Sequence, residues 1–177
     1  MKGHDACKEL IERLREQADP ANVEGMARFG ISSTGTLGVT MRDVRALGRE
    51  ALREHRRDGV WRHDLATCLW QSEIHEARIL ATIAEDPESV TQDQALAWAQ
   101  EVDSWDVCDQ LCMNLLRHTP FAWDLAHEWT RRDEEFVKRA GFVLIATLAL
   151  ALELAGSDVH SVRWVGRDAA RELHDRG

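Results

Sequence analysis

The sequence predicts an all-α protein, a solenoid or α-α superhelix of antiparallel, HEAT-like helix pairs. Three observations predict it. No segment shows the β-branched alternation of a strand. Apolar residues recur at helical spacing in successive segments, each bounded by a capping residue, a proline or a glycine. Four segments also join a charged residue to an apolar helix, at Arg78, Asp109, Arg139 and Arg167, in steps of 31, 30 and 28 residues. Near-constant steps are what stacked helix pairs give, and they would set these four side chains along one concave wall. The expectation is one domain over 1–177, with a shortened, irregular last repeat at about 150–177.

The elements follow in order. Residues 5–17 read as a helix with Leu10, Ile11 and Leu14 on one side. Asp19-Pro20 starts a second helix carrying Val23 and Met26 toward Phe29. Residues 30–39, GISSTGTLGV, form a loop, but no Gly-Lys-Ser/Thr follows to make it a phosphate cradle. Thr40 caps a helix to about His55, with Val44, Leu47 and Leu52 inward, and Gly59 breaks the chain. Further helices are expected over 61–71, 74–84, 91–101, 104–118, 121–130, 134–149 and 158–174. Trp70, Trp98, Trp123 and Trp129 are expected to pack in the core.

Composition limits the function. The chain of 177 residues has an ordinary apolar content and a net charge of −9. Its most apolar run, 141–151, is far shorter than the ~20 residues of a membrane span. The N-terminus lacks a secretory pattern. Cys7, Cys68, Cys108 and Cys112 show no paired framework and read as reduced core residues of a cytoplasmic protein. An acidic chain that binds DNA needs a local basic patch. One candidate lies within 41–63 (Arg42, Arg45, Arg49, Arg53, Arg56, Arg57, Arg62), another is Arg131, Arg132, Lys138 and Arg139. His75-Glu76 lacks the second histidine of a zinc motif, and Glu76 with Arg78 reads as a helix-surface or inter-helix pair. Cys108 and Cys112 lack the pair-of-pairs of a structural metal site, so no metal and no cofactor are expected.

The most informative stretch is 101–117, EVDSWDVCDQLCMNLLR. Ser104 stands at a helix start, where a serine caps and acids suit the dipole. Trp105 and Asp109 are four apart and share a face, while Cys108, Leu111, Cys112, Leu115 and Leu116 supply the buried back. A carboxylate beside an indole suits a cationic ligand, but on these residues alone the commoner reading is structural, with Asp106 a capping acid and Trp105 part of the core.

Together with MARFGI (26–31), LGVTMRDVRAL (37–47), LWQSEIHEARILA (69–81) and EEFVKRAGFVLIATLA (134–149), the stretch SWDVCDQLC (104–112) resembles the AlkD-like family of DNA alkylation repair proteins. The resemblance runs in family order over most of 26–150. It implies a concave groove for duplex DNA and excision of N3- or N7-alkylated purines without flipping the base into a pocket. By motif, Asp109 resembles the catalytic carboxylate, Trp105 the indole that packs on the lesion's sugar, and Arg139 the arginine that holds the backbone beside it. Lys138, Arg131 and Arg132 are added as backbone contacts, with Arg167 as a groove residue and Arg78 as either a groove residue or an internal tie between repeats. Trp164, spaced Trp-x-x-Arg from Arg167, resembles a second active-site indole, although the residues that usually precede it are missing. The implied partner is duplex DNA with alkylated bases, bound by a monomer with no membrane contact. The alternative is a non-catalytic helical module that binds DNA or a protein, favoured by the acidic charge and the irregular C-terminus.

Overall fold

The structure is a computed structural model in which residues 2–155 are described, and among them every regular element is helical. Contacts cluster into two units, Met1–Ser89 and Val90–Gly177. The helix expected over 158–174, with Trp164 and Arg167, lies outside the described residues.

The first unit holds α1 (Gly3–Glu16), α2 (Pro20–Ala27), α3 (Met41–Ala51), α4 (Gly59–Gln71) and α5 (His75–Ala84). Their starts follow the expected chemistry. Asp19 accepts from the Ala21 amide, Thr40 from Asp43 and Asp58 from Trp61. The Asp58 cap corrects one expectation: Gly59 begins α4 rather than breaking the chain. Helix α3 ends at Ala51, four residues before the expected His55. The residues after it form turns, and the His55 ring stacks on Trp61 with centroids 3.9 Å apart. The core comprises Leu10 and Leu14 of α1, Val44 and Leu47 of α3, Leu65, Leu69 and Trp70 of α4, and Ile79 and Leu80 of α5. Arg62 and His63, early in α4, reach Ala84 and Glu85 at the end of α5, whereas Trp70, late in α4, meets Arg78, early in α5. These pairings run in opposite senses, so α4 and α5 are antiparallel.

Three side chains depart from the sequence reading here. Cys7 and Cys68 are joined by a disulfide with Cα atoms 6.1 Å apart, which ties α1 to α4. Spacing across 61 residues gave no hint of it, and the bond removes the reduced cysteines as support for a cytoplasmic location. Glu76 is not a surface residue but is 1% exposed. Its carboxylate accepts from the backbone amides of Leu37, Gly38 and Val39 and so anchors the loop that precedes α3. Gly38 has φ +80°, and a Cβ there would collide with the Asp19 carbonyl oxygen.

The second unit holds α6 (Gln92–Glu101), α7 (Trp105–Asn114), a 3-10 turn (Leu116–His118), α8 (Ala122–Trp129) and α9 (Glu135–Ala155). The expected single helix 104–118 divides at Leu115 (φ −124°, ψ −67°), and the Thr119 hydroxyl donates to the Leu116 carbonyl to hold the tighter turn. Helix α9 runs six residues past the expected Ala149, since no breaker stands before Gly156. Helices α6, α7 and α8 all pack on α9. Leu111, Leu116, Leu125, Trp129, Val137, Leu144 and Leu148 form the core. A Cβ on Gly141 would lie 2.6 Å from the Thr130 nitrogen, so glycine permits the close approach of α9 to the end of α8. Trp98 and Trp129 are buried as expected, but Trp123 is 41% exposed. It follows the start of an eight-residue helix whose inward positions are taken by Ala122, Leu125, Ala126 and Trp129.

The register of α7 against α9 is read from two thiols. Cys108 Sγ lies 3.4 Å from the Phe136 carbonyl oxygen, and Cys112 Sγ 3.6 Å from that of Ala140. Both sides advance by four residues, so α7 and α9 run parallel. Among the described residues no helix is long and apolar enough to cross a membrane.

Candidate functional site

The start of α7 and the first turns of α9 bring Trp105, Asp109 and Arg139 together. Val107, Cys108, Leu111 and Cys112 turn inward on α7. The helical period therefore leaves Trp105 and Asp109 on the face that remains open. On α9, Val137 and Ala140 are fully buried, and Arg139 between them emerges exposed. The two thiol contacts fix the register in which Arg139 meets Asp109.

The contact is a fork. Arg139 Nε donates to one Asp109 carboxylate oxygen and a terminal nitrogen to the other, each at 2.9 Å. The guanidinium carbon also lies 5.9 Å from the Trp105 ring centroid, within range of a cation–π attraction. None of the three is sealed: the Arg139 and Asp109 side chains are 41% and 26% exposed, and Trp105 is 40% exposed. The hydrogen bonds to Asp109 raise the Arg139 pKa, against a smaller opposing effect of burial. Beneath them the Cys112 thiol is pushed well up, first by its hydrogen bond with Cys108 and then by burial. The Cys112 thiol is therefore an inert packing group at neutral pH. The assembly sets a carboxylate edge and an aromatic face against one cation, the chain's own guanidinium.

Ser104 stands at the N-cap position but does not cap with its side chain, and its buried hydroxyl has no hydrogen-bond partner among the described residues. The serine expected to stabilise the start of α7 thus does so only through its backbone, where Cys108 N donates to its carbonyl.

The basic residues expected beside the cluster differ in availability. Arg132 forks onto Glu134 at 3.2 and 2.7 Å and lies 3.9 Å from Glu128. Lys138 is 3.7 Å from the fully exposed Asp133, a loose pair of little energetic weight. Arg131 is exposed. In the first unit Arg78 is only 9% exposed and sits over Trp70 at 5.3 Å, inside that unit's helix packing.

The arginine group of 41–63 is partly engaged as well. Arg42 pairs with Asp43, and Arg62 donates to the Ala84 and Glu85 carbonyls at the end of α5. Arg62 is therefore a helix-capping residue rather than part of a free patch. Sequence reading missed this role and the clamp at Glu76. The signal for the clamp was present in form, a glycine-rich loop and an acid at a helix start, but nothing in the sequence joined the two.

Among the described residues no cluster of three or more His, Cys, Asp or Glu side chains is placed to hold a metal ion. No curated protein and no solved structure matches the chain. A family model described as DNA alkylation repair enzyme matches residues 10–174.

Proposed function

The chain belongs to the DNA alkylation repair enzyme family, and from that premise we propose that it is a DNA glycosylase excising N3- or N7-alkylated purines from duplex DNA. The observation that carries this reading is the meeting of Trp105, Asp109 and Arg139 in one partly exposed cluster.

Alkylation at N3 or N7 gives the purine a positive charge, so its glycosidic bond is already weak. When that bond breaks, its electron pair leaves with the base, now neutral, and the positive charge passes to the sugar. Water then adds to C1′ and one proton is released. A carboxylate near the developing oxocarbenium stabilises it through electrostatics, the kind of effect that often dominates such catalysis. Asp109 is assigned that role and the positioning of the water. Trp105 is assigned the sugar's face, a flat surface that also favours positive charge. Arg139 is assigned a backbone phosphate next to the lesion, a contact that positions without reading sequence. Arg131, Lys138 and, more weakly because of Glu134, Arg132 are assigned further backbone contacts. The parallel run of α7 and α9 supports reading the second unit as stacked helix pairs, while Arg78, buried over Trp70, is read as an internal tie of the first unit.

The test is release of 7-methylguanine or 3-methyladenine from alkylated duplex by the purified chain. Asp109→Asn should cut the rate by at least about 100-fold while circular dichroism and the melting midpoint stay close to wild type. Undiminished release by that variant would falsify the role of Asp109. A second reading has one observation in its favour: a forked Arg–Asp pair is also an ordinary tie between two helices. It predicts no excision and, for a DNA-binding module, salt-dependent duplex affinity alone.

A further inference from the structure

The guanidinium of Arg139 occupies the place that the mechanism gives to the substrate's positive charge. Both carboxylate oxygens of Asp109 accept from it at 2.9 Å, and the indole of Trp105 faces it at 5.9 Å. The two groups that would stabilise a cationic sugar are thus already engaged by a cation of the protein. A carboxylate edge backed by one indole has room for one such partner at a time.

We infer that Arg139 is a built-in competitor for the Trp105–Asp109 cation site, withdrawn only when a DNA backbone phosphate takes its guanidinium. The inference rests on the glycosylase reading and adds a condition to it: the site opens to a cationic sugar only when that sugar is part of a phosphate-bearing strand.

Three features support the exchange. A phosphate offers a guanidinium the same forked, charge-assisted geometry as a carboxylate, so one anion replaces another with little net cost. The side chains are 41% and 26% exposed, so a phosphate can reach the pair from solvent. The backbones beneath do not have to move. Val137, Ala140 and Leu111 are fully buried, and the Cys108 and Cys112 contacts hold α7 against α9. The change is a side-chain rotation. Its consequence is selectivity by polymer: small cations and free alkylated nucleosides meet a closed site, whereas a duplex brings the phosphate that opens it.

The experiment titrates the full chain with 1-aza-2-deoxyribose, a protonated pyrrolidine that carries the charge of the oxocarbenium sugar. The probe is used as a free monomer and built into a duplex, against wild type, Arg139→Gln and Arg139→Lys. Wild type should bind the duplex-borne probe. Arg139→Gln should bind the monomer at least tenfold more tightly than wild type does, and the duplex-borne probe less tightly. Arg139→Lys keeps a charge but loses the fork, and should show a smaller gain for the monomer. That variant carries the test if Arg139→Gln fails to fold by circular dichroism. Equal monomer affinity in wild type and the folded variants overturns the inference. Wild-type release of 7-methylguanine from alkylated duplex is measured alongside. Release without a gain in monomer binding overturns the competitor and leaves the glycosylase. A gain without release leaves a self-occupied cation site and overturns the glycosylase.

Discussion

Glu76 shows how much one buried carboxylate can hold. Its oxygens accept from three consecutive backbone amides, at Leu37, Gly38 and Val39. Glu76→Ala would leave those donors without their partner in a nearly dry site, at a cost of about 3 kcal/mol or more. Glu76→Gln keeps one acceptor oxygen and should cost less. Urea unfolding midpoints check the order, and an alanine variant as stable as wild type would refute the clamp. Glu134 is the opposite case, an exposed acid whose effect is read by pH. The hydrogen bonds from Arg132, then its own backbone amide and Gln100, pull its pKa from 4.5 to about 2. A carboxylate lowered in the folded state binds its proton first in the unfolded chain. Its stabilisation is therefore complete above pH ~4.5 and is lost as the pH falls toward 2. Melting midpoints measured across that window should fall less steeply in Glu134→Gln than in wild type.

Elements are tied together by contacts that cross long stretches of sequence. The Cys7–Cys68 bond closes a loop of about 60 residues between α1 and α4. Loops of that length, once closed, stabilise by roughly 2–4 kcal/mol, mainly by restricting the unfolded chain. Two of the four cysteines should thus be unreactive toward a thiol reagent in unfolded, unreduced protein, and reduction should lower the melting midpoint. Four reactive thiols under those conditions would remove the bond and the argument with it. The pair of helices that carries the candidate site is fastened differently. Buried thiols on α7 meet carbonyls of α9, weak contacts that gain their effect from close packing around them. Helix boundaries were legible where a cap or a proline stood, as at Asp19-Pro20 and Thr40. They were not where tertiary contacts decided, as at Leu115 and past Ala51.

At the scale of the whole molecule the governing fact is charge. A chain of net charge −9 that binds a polyanion must do so through a few local contacts. Duplex affinity should fall with rising salt, by about 0.9 in log–log slope for each phosphate engaged. Removing one exposed contact at Arg131, by Arg131→Ala, should reduce that slope by about 1 and weaken all sequences alike. An unchanged slope would take Arg131 off the interface. Arg132 should matter less, because its fork is already filled by Glu134.

The sequence alone determined that the chain is helical, that it carries the marks of the alkylation repair family, and which face of α7 is polar. Those properties are local: period, caps and breakers act over a few residues, and motifs are read in line. Only the tertiary structure decided that Arg139 grips Asp109, that Glu76 is an anchor and that Cys7 finds Cys68. Each of these joins residues 30 or more positions apart. Which of many suitable partners a charged or sulfur-bearing side chain meets depends on how the helices pack, and a one-dimensional pattern does not specify that.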